Sequence, residues 1–391
     1  MSAAGRPIGI GMVGAGTMAG AHSAALLNLG HLYPELALQP RLAAVTDINA
    51  ALADGLAARF GWTRVEPSAQ ALIESPDVDL VVAALPPGPN REVVLAAAAA
   101  GKAVVCEKPL GESTADAAAM LEACEAAGVF HGLAAGYRWS PALRAIADAI
   151  RQGDLGAIRS VRLSFLLDYA ADPAVPLLWR FRKSAAGGGI AADTGYHLVD
   201  CARFLVGEID AVQSLTRTFI TERPLPAANA VGNRGAAADD RTATEPETGP
   251  VDVEDAAAAL LSFENGAYGV LESSRVAIGR RLSLQIEVYG SIGSASWDLE
   301  RPDEFGLCLP DEARRFGFRR ILVNTAHPGA APLLIAGTDG TSIGWLGQEC
   351  AMWAEFLTAI DEGRRGSADF HDGVRDSAVI DALYAAASRD T

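Results

Sequence analysis

The 391-residue sequence has no CxxC pair, and its five cysteines, Cys106, Cys124, Cys201, Cys308 and Cys350, are scattered. That argues against a disulfide framework or a structural zinc site and fits reduced thiols in a cytoplasmic protein. There is no long basic run, and the formal net charge is −16. Nucleic acid, whose phosphates need clustered Lys and Arg, is therefore not an expected partner. No apolar run reaches the ~20 residues of a membrane span. Ile8–Val13 passes straight into a glycine turn, and Val93–Ala100 stops at Gly101-Lys102, so no membrane partner is expected either. Internal repeats are absent. The histidines and cysteines lack ligand spacing, and no metal is expected.

What is present is length and apolar content. Half of the residues (50%) are hydrophobic, enough for sizeable cores, and the length points to two domains of roughly 100–200 residues each. Up to about residue 136, short β-branched runs alternate with alanine-rich stretches of helical length. This is the pattern of a parallel sheet covered by helices. The strands expected are Ile8–Val13, Leu42–Asp47, Leu80–Ala84, Ala103–Cys106 and Phe130–Ala134, with helices starting near Thr17, Asn49, Ser68, Asn90 and Ser113. A helix from Pro141 to about Gln152 ends at Gly153-Asp154-Leu155-Gly156.

Beyond it, Ile158–Leu167, Ala211–Thr221, Ala256–Phe263, Ala267–Ala277, Ser283–Tyr289 and Ser294–Leu299 read as long strands joined by turns. The fold class expected is an α/β domain over 1–136 followed by an α+β domain over 137–391, the latter with a large, mainly antiparallel open sheet. Helices about Gly347–Glu362 and Gly373–Ser388 close the chain. Pro226–Pro250, rich in Ala, Gly, Asn, Asp, Thr and Pro, reads as a mobile loop.

Gly14-Ala15-Gly16-Thr17-Met18-Ala19 ends the first strand and opens the first helix, in the GxGxxG/A form. Gly14 permits a tight turn, Gly16 lets the backbone approach a pyrophosphate, and Ala19 keeps helix and strand close. The free N–H groups of the helix start favour phosphate. Asp47 ends the second strand, where a carboxylate accepts hydrogen bonds from a ribose diol and repels a 2′-phosphate, selecting NAD over NADP. Its distance from the glycines is lengthened by a connection across Gly30–Pro40.

Lys108, in Cys106-Glu107-Lys108-Pro109, stands at the carboxyl edge of the sheet. It is either a solvated charge or a group acting on a ligand. Asp193 and His197, in the glycine-rich stretch Gly187–Asp200, share a face if helical, and the glycines before them allow close approach of backbone to a ligand. They form either a structural pair or an acid-oriented base. Asp200 reads as structural, and no partner is identifiable for His22 or His327.

In this order, the glycine turn, Glu107-Lys108-Pro109, Tyr137-Arg138-Trp139-Ser140-Pro141 and the Asp193…His197 stretch resemble the glucose–fructose oxidoreductase/inositol dehydrogenase/MocA family over nearly the whole chain. Trp179-Arg180-Phe181 and Ala326-His327-Pro328 make it most similar to the levoglucosan-type and related sugar and cyclitol dehydrogenases within that family.

The resemblance implies that Lys108, Asp193 and His197 act on a reacting hydroxyl. Tyr137, Arg138, Trp179 and Arg180 are candidates to line a sugar or cyclic-polyol pocket, core or sheet packing being the alternative for the two aromatics. Cofactor contacts are implied at Gly14, Gly16, Thr17 and Met18, at Asp47 and Ile48, at Ala84, Leu85, Pro86 and Asn90, and at Glu107 and Lys108. It further implies a cis Lys108–Pro109 bond and a homo-oligomer, a dimer or a tetramer, built on the open sheet face. Leu85 and Asn90 depart from the family's usual A-T-P-N-x-x-H pattern, in which a Thr and a His stand at those places. The same fold also supports a non-catalytic dinucleotide-binding regulator or a keto-sugar reductase.

Overall fold

The computed structural model describes residues 5–226, 247–310, 316–334 and 339–387. Contacts divide the chain into two compact units that are not consecutive stretches. One holds the residues up to Ser140 together with Asn324–Ser377, and the other holds Pro141–Val323 with the residues from Ala378 on.

The first unit contains β1 (Arg6–Val13), α1 (Thr17–Leu32), β2 (Leu38–Thr46), α2 (Ala50–Phe60), β3 (Arg64–Val65), α3 (Ala69–Glu74), β4 (Leu80–Ala83), α4 (Pro87–Ala99), β5 (Ala103–Glu107), α5 (Thr114–Ala127) and β6 (His131–Ala134), followed by a 3-10 turn at Gly136–Trp139. Its strands pair in parallel in the order β3-β2-β1-β4-β5-β6. Ile10, Met12, Leu80–Ala83, Val104 and Val105 are buried, as expected of strands covered on both faces.

Three of the expected helix starts are capped as the residue types suggest. Asn49, Ser68 and Ser113 accept the N–H groups of Ala51, Ala71 and Asp116. The fourth differs, because α4 begins at Pro87, a proline in the first turn, rather than near Asn90. β2 begins at Leu38, four residues before the apolar run, so the connection after α1 is only Tyr33–Ala37.

The second unit contains α6 (Pro141–Arg151), β7 (Ile158–Leu166), α7 (Lys183–Ala186), a π-helical turn at Ala191–Gly195, α8 (Tyr196–Leu205), β8 (Ile209–Arg217), β9 (Glu222–Pro224), β10 (Thr248–Pro250), β11 (Ala256–Phe263), β12 (Tyr268–Ser274), β13 (Ser283–Gly290), β14 (Ser294–Asp298), β15 (Glu304–Cys308) and β16 (Arg319–Leu322). Eight of these strands form one sheet in the order β16-β15-β14-β13-β7-β12-β11-β8, antiparallel except where β12 lies parallel to β7. Along β11, burial alternates residue by residue, so one face is covered and the other is open. Leu215, Leu260 and Tyr268 stand exposed on the open side.

Of the segment expected as a mobile loop, 227–246 lies outside the described residues, whereas Thr248–Pro250 is strand β10, paired with β9. Two closing helices follow, α9 (Gly344–Glu362) and α10 (Phe370–Ala387). Within the first unit, α9 packs on α1. Among the described residues no helix is long and apolar enough to cross a membrane.

Candidate active site

In the first unit the sheet order reverses between β1 and β4, the place where an open parallel sheet leaves a crevice at its carboxyl edge. The glycine turn follows β1. Gly14 has φ +103°, and a Cβ there would collide with the Ala84 carbonyl oxygen, so the turn demands glycine for both reasons. Gly16 differs, because a Cβ on it would meet nothing within 4 Å. The protein itself does not require glycine there, and the open space lies over the start of α1, whose N-cap makes no side-chain hydrogen bond. An uncapped helix start with room above it fits a pyrophosphate. Thr17 is exposed, Met18 is half-buried, and Ala19 is fully buried at the helix–strand contact.

Asp47 is joined to this turn directly. Its Oδ2 accepts the Ala15 N–H at 2.7 Å and its Oδ1 accepts the Asn49 N–H at 2.8 Å. The carboxylate is thereby held beside the glycines in the position a ribose-binding acid needs. Ile48 next to it is fully exposed, an apolar surface with no protein cover. After β4, Ala84, Leu85 and Pro86 are half-buried. Asn90 is fully buried, its Nδ2 donates to the Leu85 carbonyl at 3.4 Å, and its Oδ1 has no hydrogen-bond partner among the described residues.

β5 ends in Glu107, and the half-buried Lys108 follows, with Lys108–Pro109 cis. Glu107 turns inward at 5% exposure, its Oε2 accepting the Lys108 backbone N–H at 3.2 Å and its Oε1 lying 3.0 Å from His22 Nε2. His22, for which the sequence suggested no partner, is fully buried on α1, and its Nδ1 lies 3.1 Å from Trp353 Nε1. Indole can only donate, so in the neutral ring Nδ1 accepts and the imidazole proton sits on Nε2, aimed at Glu107.

Glu349, also on α9, completes the cluster, with Oε2 3.6 Å from His22 Nδ1. Burial, opposed by His22 and reinforced by the charge of Glu107, pushes its carboxyl up to about 7. Burial works against the charged form of His22, but the hydrogen bond and charge of Glu107 and the charge of Glu349 prevail and raise its proton affinity. Sequence reasoning missed Glu349 and Trp353. The only signal for His22 was a polar residue on the buried face of α1.

Tyr137 and Arg138 lie buried in the 3-10 turn. Arg138 Nη1 donates to the Ser367 carbonyl at 3.0 Å and to Asp372 Oδ2 at 3.1 Å, so this guanidinium braces the turn against the start of α10. His327 closes its own loop, its Nδ1 accepting the Asn324 N–H.

Glu125, His131 and His371 come close enough to share an ion. However, the Phe370 N–H occupies His131 Nδ1, which leaves the ring proton on Nε2, and His371 Nε2 pairs with Glu125 at 2.9 Å. Their chemistry is that of a hydrogen-bonded cluster.

In the second unit Asp193 sits on the π-helical turn and His197 on the first turn of α8, both half-buried. A π turn inside a helix often marks a functional position. Asp193 Oδ2 lies 3.8 Å from Arg180 Nε, and the Arg180 guanidinium stacks 4.2 Å over the Trp179 ring. The His197 ring is 6.0 Å from that of Phe165. Asp200 is buried.

The sequence suggested that Gly187–Gly189 let backbone approach a ligand, but the close neighbours of Gly188 and Gly189 are protein. A Cβ on Gly188 would strike the Tyr384 hydroxyl, and one on Gly189 would strike Glu254. The Glu254 carboxylate accepts the Gly189 N–H at 3.1 Å, the Ala191 N–H at 2.9 Å and the Tyr384 O–H at 2.9 Å. Burial raises the proton affinity of Glu254, and the hydrogen bonds from Ala191 and Tyr384 oppose that rise. Behind Arg180, Arg275 Nη1 donates to its carbonyl while Arg275 Nε pairs with Asp255, fixing the backbone on which Trp179 and Arg180 are carried.

Comparison with known proteins agrees with both units. The profile described as the oxidoreductase family with NAD-binding Rossmann fold matches residues 8–134, and that of the GFO/IDH/MocA C-terminal domain matches 143–296. Levoglucosan dehydrogenase of Pseudarthrobacter phenanthrenivorans is 35% identical over 98% of this chain and 97% of its own. Myo-inositol 2-dehydrogenase of Thermotoga maritima is 29% identical over 71% of this chain and 73% of its own. A solved structure of levoglucosan dehydrogenase in complex with NADH and levoglucosan superposes with a TM-score of 0.91 at 33% identity, covering 99% of this chain and 98% of that one. With the strand order, the glycine turn and both profiles in agreement, the chain belongs to the Gfo/Idh/MocA oxidoreductase family, and its first unit is that family's NAD-binding Rossmann fold.

Proposed function

We propose that the protein oxidises a secondary ring hydroxyl of a sugar, anhydrosugar or inositol-type cyclic polyol to the ketone, using NAD rather than NADP. Bound NAD supplies the hydride acceptor. His197 accepts the hydroxyl proton, and Asp193 holds the imidazole and stabilises its positive charge. Lys108 donates a hydrogen bond to the same oxygen and stabilises the negative charge that develops there. Trp179 and Arg180 offer an aromatic plane and a guanidinium fork to a hydroxyl-bearing ring.

The observation that carries this reading is the carboxyl edge of the first sheet. The glycine turn, Asp47 and Lys108 all leave strand ends there, around the point where the strand order reverses. The near-full-length similarity to levoglucosan dehydrogenase makes levoglucosan the first substrate to try. We also propose a homo-oligomer assembled through the open face of the eight-stranded sheet.

The test mixes purified protein and NAD with levoglucosan, inositols and related cyclic polyols and follows NADH formation. Reduction with any of them is expected, and Lys108→Ala should lower turnover about 100-fold or more. Tight NAD binding with no polyol oxidised would instead identify a regulator. NADH consumption with keto-sugars alone would identify a reductase.

A further inference from the structure

The cluster behind Lys108 is more elaborate than packing requires. A histidine buried to 0% exposure on α1 is flanked by two buried carboxylates and an indole, where an apolar side chain would fill the same space at lower desolvation cost. What the polar arrangement adds is direction. Trp353 fixes the lone pair of His22 on Nδ1, the proton therefore points from Nε2 to Glu107 Oε1, and Glu107 Oε2 is left facing the Lys108 N–H. The contacts run in one line from α9 through α1 to the residue after β5.

We propose that His22 is a positioning residue for Lys108, holding the Glu107 carboxylate so that it fixes the peptide from which the lysine side chain departs. The catalytic consequence rests on the role proposed for Lys108, whereas the positioning itself does not. Glu349 supports the arrangement from the other side of the ring. Its Oε2 lies 3.6 Å from Nδ1, and burial raises its proton affinity.

Two substitutions separate the halves of the imidazole. His22→Gln keeps an N–H donor near the place of Nε2 and with it the bond to Glu107, and it gives up the acceptor for Trp353. His22→Asn keeps an oxygen acceptor near the place of Nδ1 and with it the bond from Trp353, and it gives up the donor to Glu107. The sequence has only three lysines, Lys102, Lys108 and Lys183. The rate at which an amine-reactive acylating reagent modifies Lys108 can therefore be read by mass spectrometry as a function of pH, with Lys102 and Lys183 as internal references in the full-length protein.

In His22→Asn, the Lys108 labelling profile is expected to move severalfold while the references stay. Turnover should fall on the order of tenfold, with KM for NAD little changed, the loss expected for one hydrogen bond to a charged group. His22→Gln should retain most of the wild-type labelling profile and turnover. Should His22→Asn fold poorly, Trp353→Phe serves instead. It removes the donor that sets the tautomer and should shift Lys108 labelling in the same direction by less.

Equal effects of Asn and Gln, or no change in Lys108 labelling with either, overturn the proposal and leave His22 as core packing. If labelling separates Asn from Gln while Lys108→Ala turns over like wild type, the positioning stands and the catalytic role of Lys108 fails.

Discussion

On the function proposed above, the single carboxylate of Asp47 serves both structure and selectivity. One of its oxygens ties the glycine turn by accepting the Ala15 N–H, and on that proposal its charge faces the ribose. Asp47→Asn keeps an oxygen for Ala15 and removes the charge that repels a 2′-phosphate. The ratio of kcat/KM with NADP to that with NAD should therefore rise by about tenfold or more, since even about 1.4 kcal/mol of relieved repulsion amounts to that. An unchanged ratio in steady-state kinetics would remove Asp47 from the selectivity determinants. The placement of Asp47 beside the turn at Gly14 was legible because it follows from where a strand ends and a helix begins. His22 was not, since its partners lie 85 and 331 residues away in sequence and no local pattern announces them.

At the scale of an element, the stretch from Gly187 to Leu205 shows how a segment can stand out in a sequence for an incomplete reason. The glycines drew attention as room for a ligand, yet they make room for Glu254 and Tyr384, which anchor the start of the π turn carrying Asp193. Composition does not separate a π turn from an α turn, because the extra residue per turn is imposed by surrounding contacts. Glu254→Ala would leave the buried Ala191 N–H and the Tyr384 hydroxyl proton without their acceptor and the Gly189 N–H with the Tyr384 oxygen alone. A stability loss on the order of 3 kcal/mol is expected in denaturant unfolding, with a fall in turnover as Asp193 loses its support. If stability falls and turnover does not, the π turn has no catalytic bearing.

At the scale of the whole molecule, the exposed row Leu215, Leu260 and Tyr268 lies where β8, β11 and β12 present their uncovered face. A second copy on this face would bury it, so Leu260→Glu should shift the protein towards monomer in sedimentation, because burying an unpaired charge outweighs the apolar area gained. An oligomeric state unaffected by that change would place the interface elsewhere.

Strand and helix alternation, the glycine turn with its acid, and the two kinds of sheet were determined by the sequence itself. These depend on periodicity and on residues a few positions apart, as the caps at Asn49, Ser68 and Ser113 illustrate. Only the tertiary structure decided that α9 packs on α1 in the first unit, that β12 lies parallel to β7, and that His22, Glu107, Glu349 and Trp353 form one cluster. Those outcomes come from pairing segments far apart in the chain, 85 residues for His22 and Glu107 and 331 for His22 and Trp353. The selecting energy is burial and hydrogen-bond satisfaction in three dimensions, which no local stretch of chain encodes.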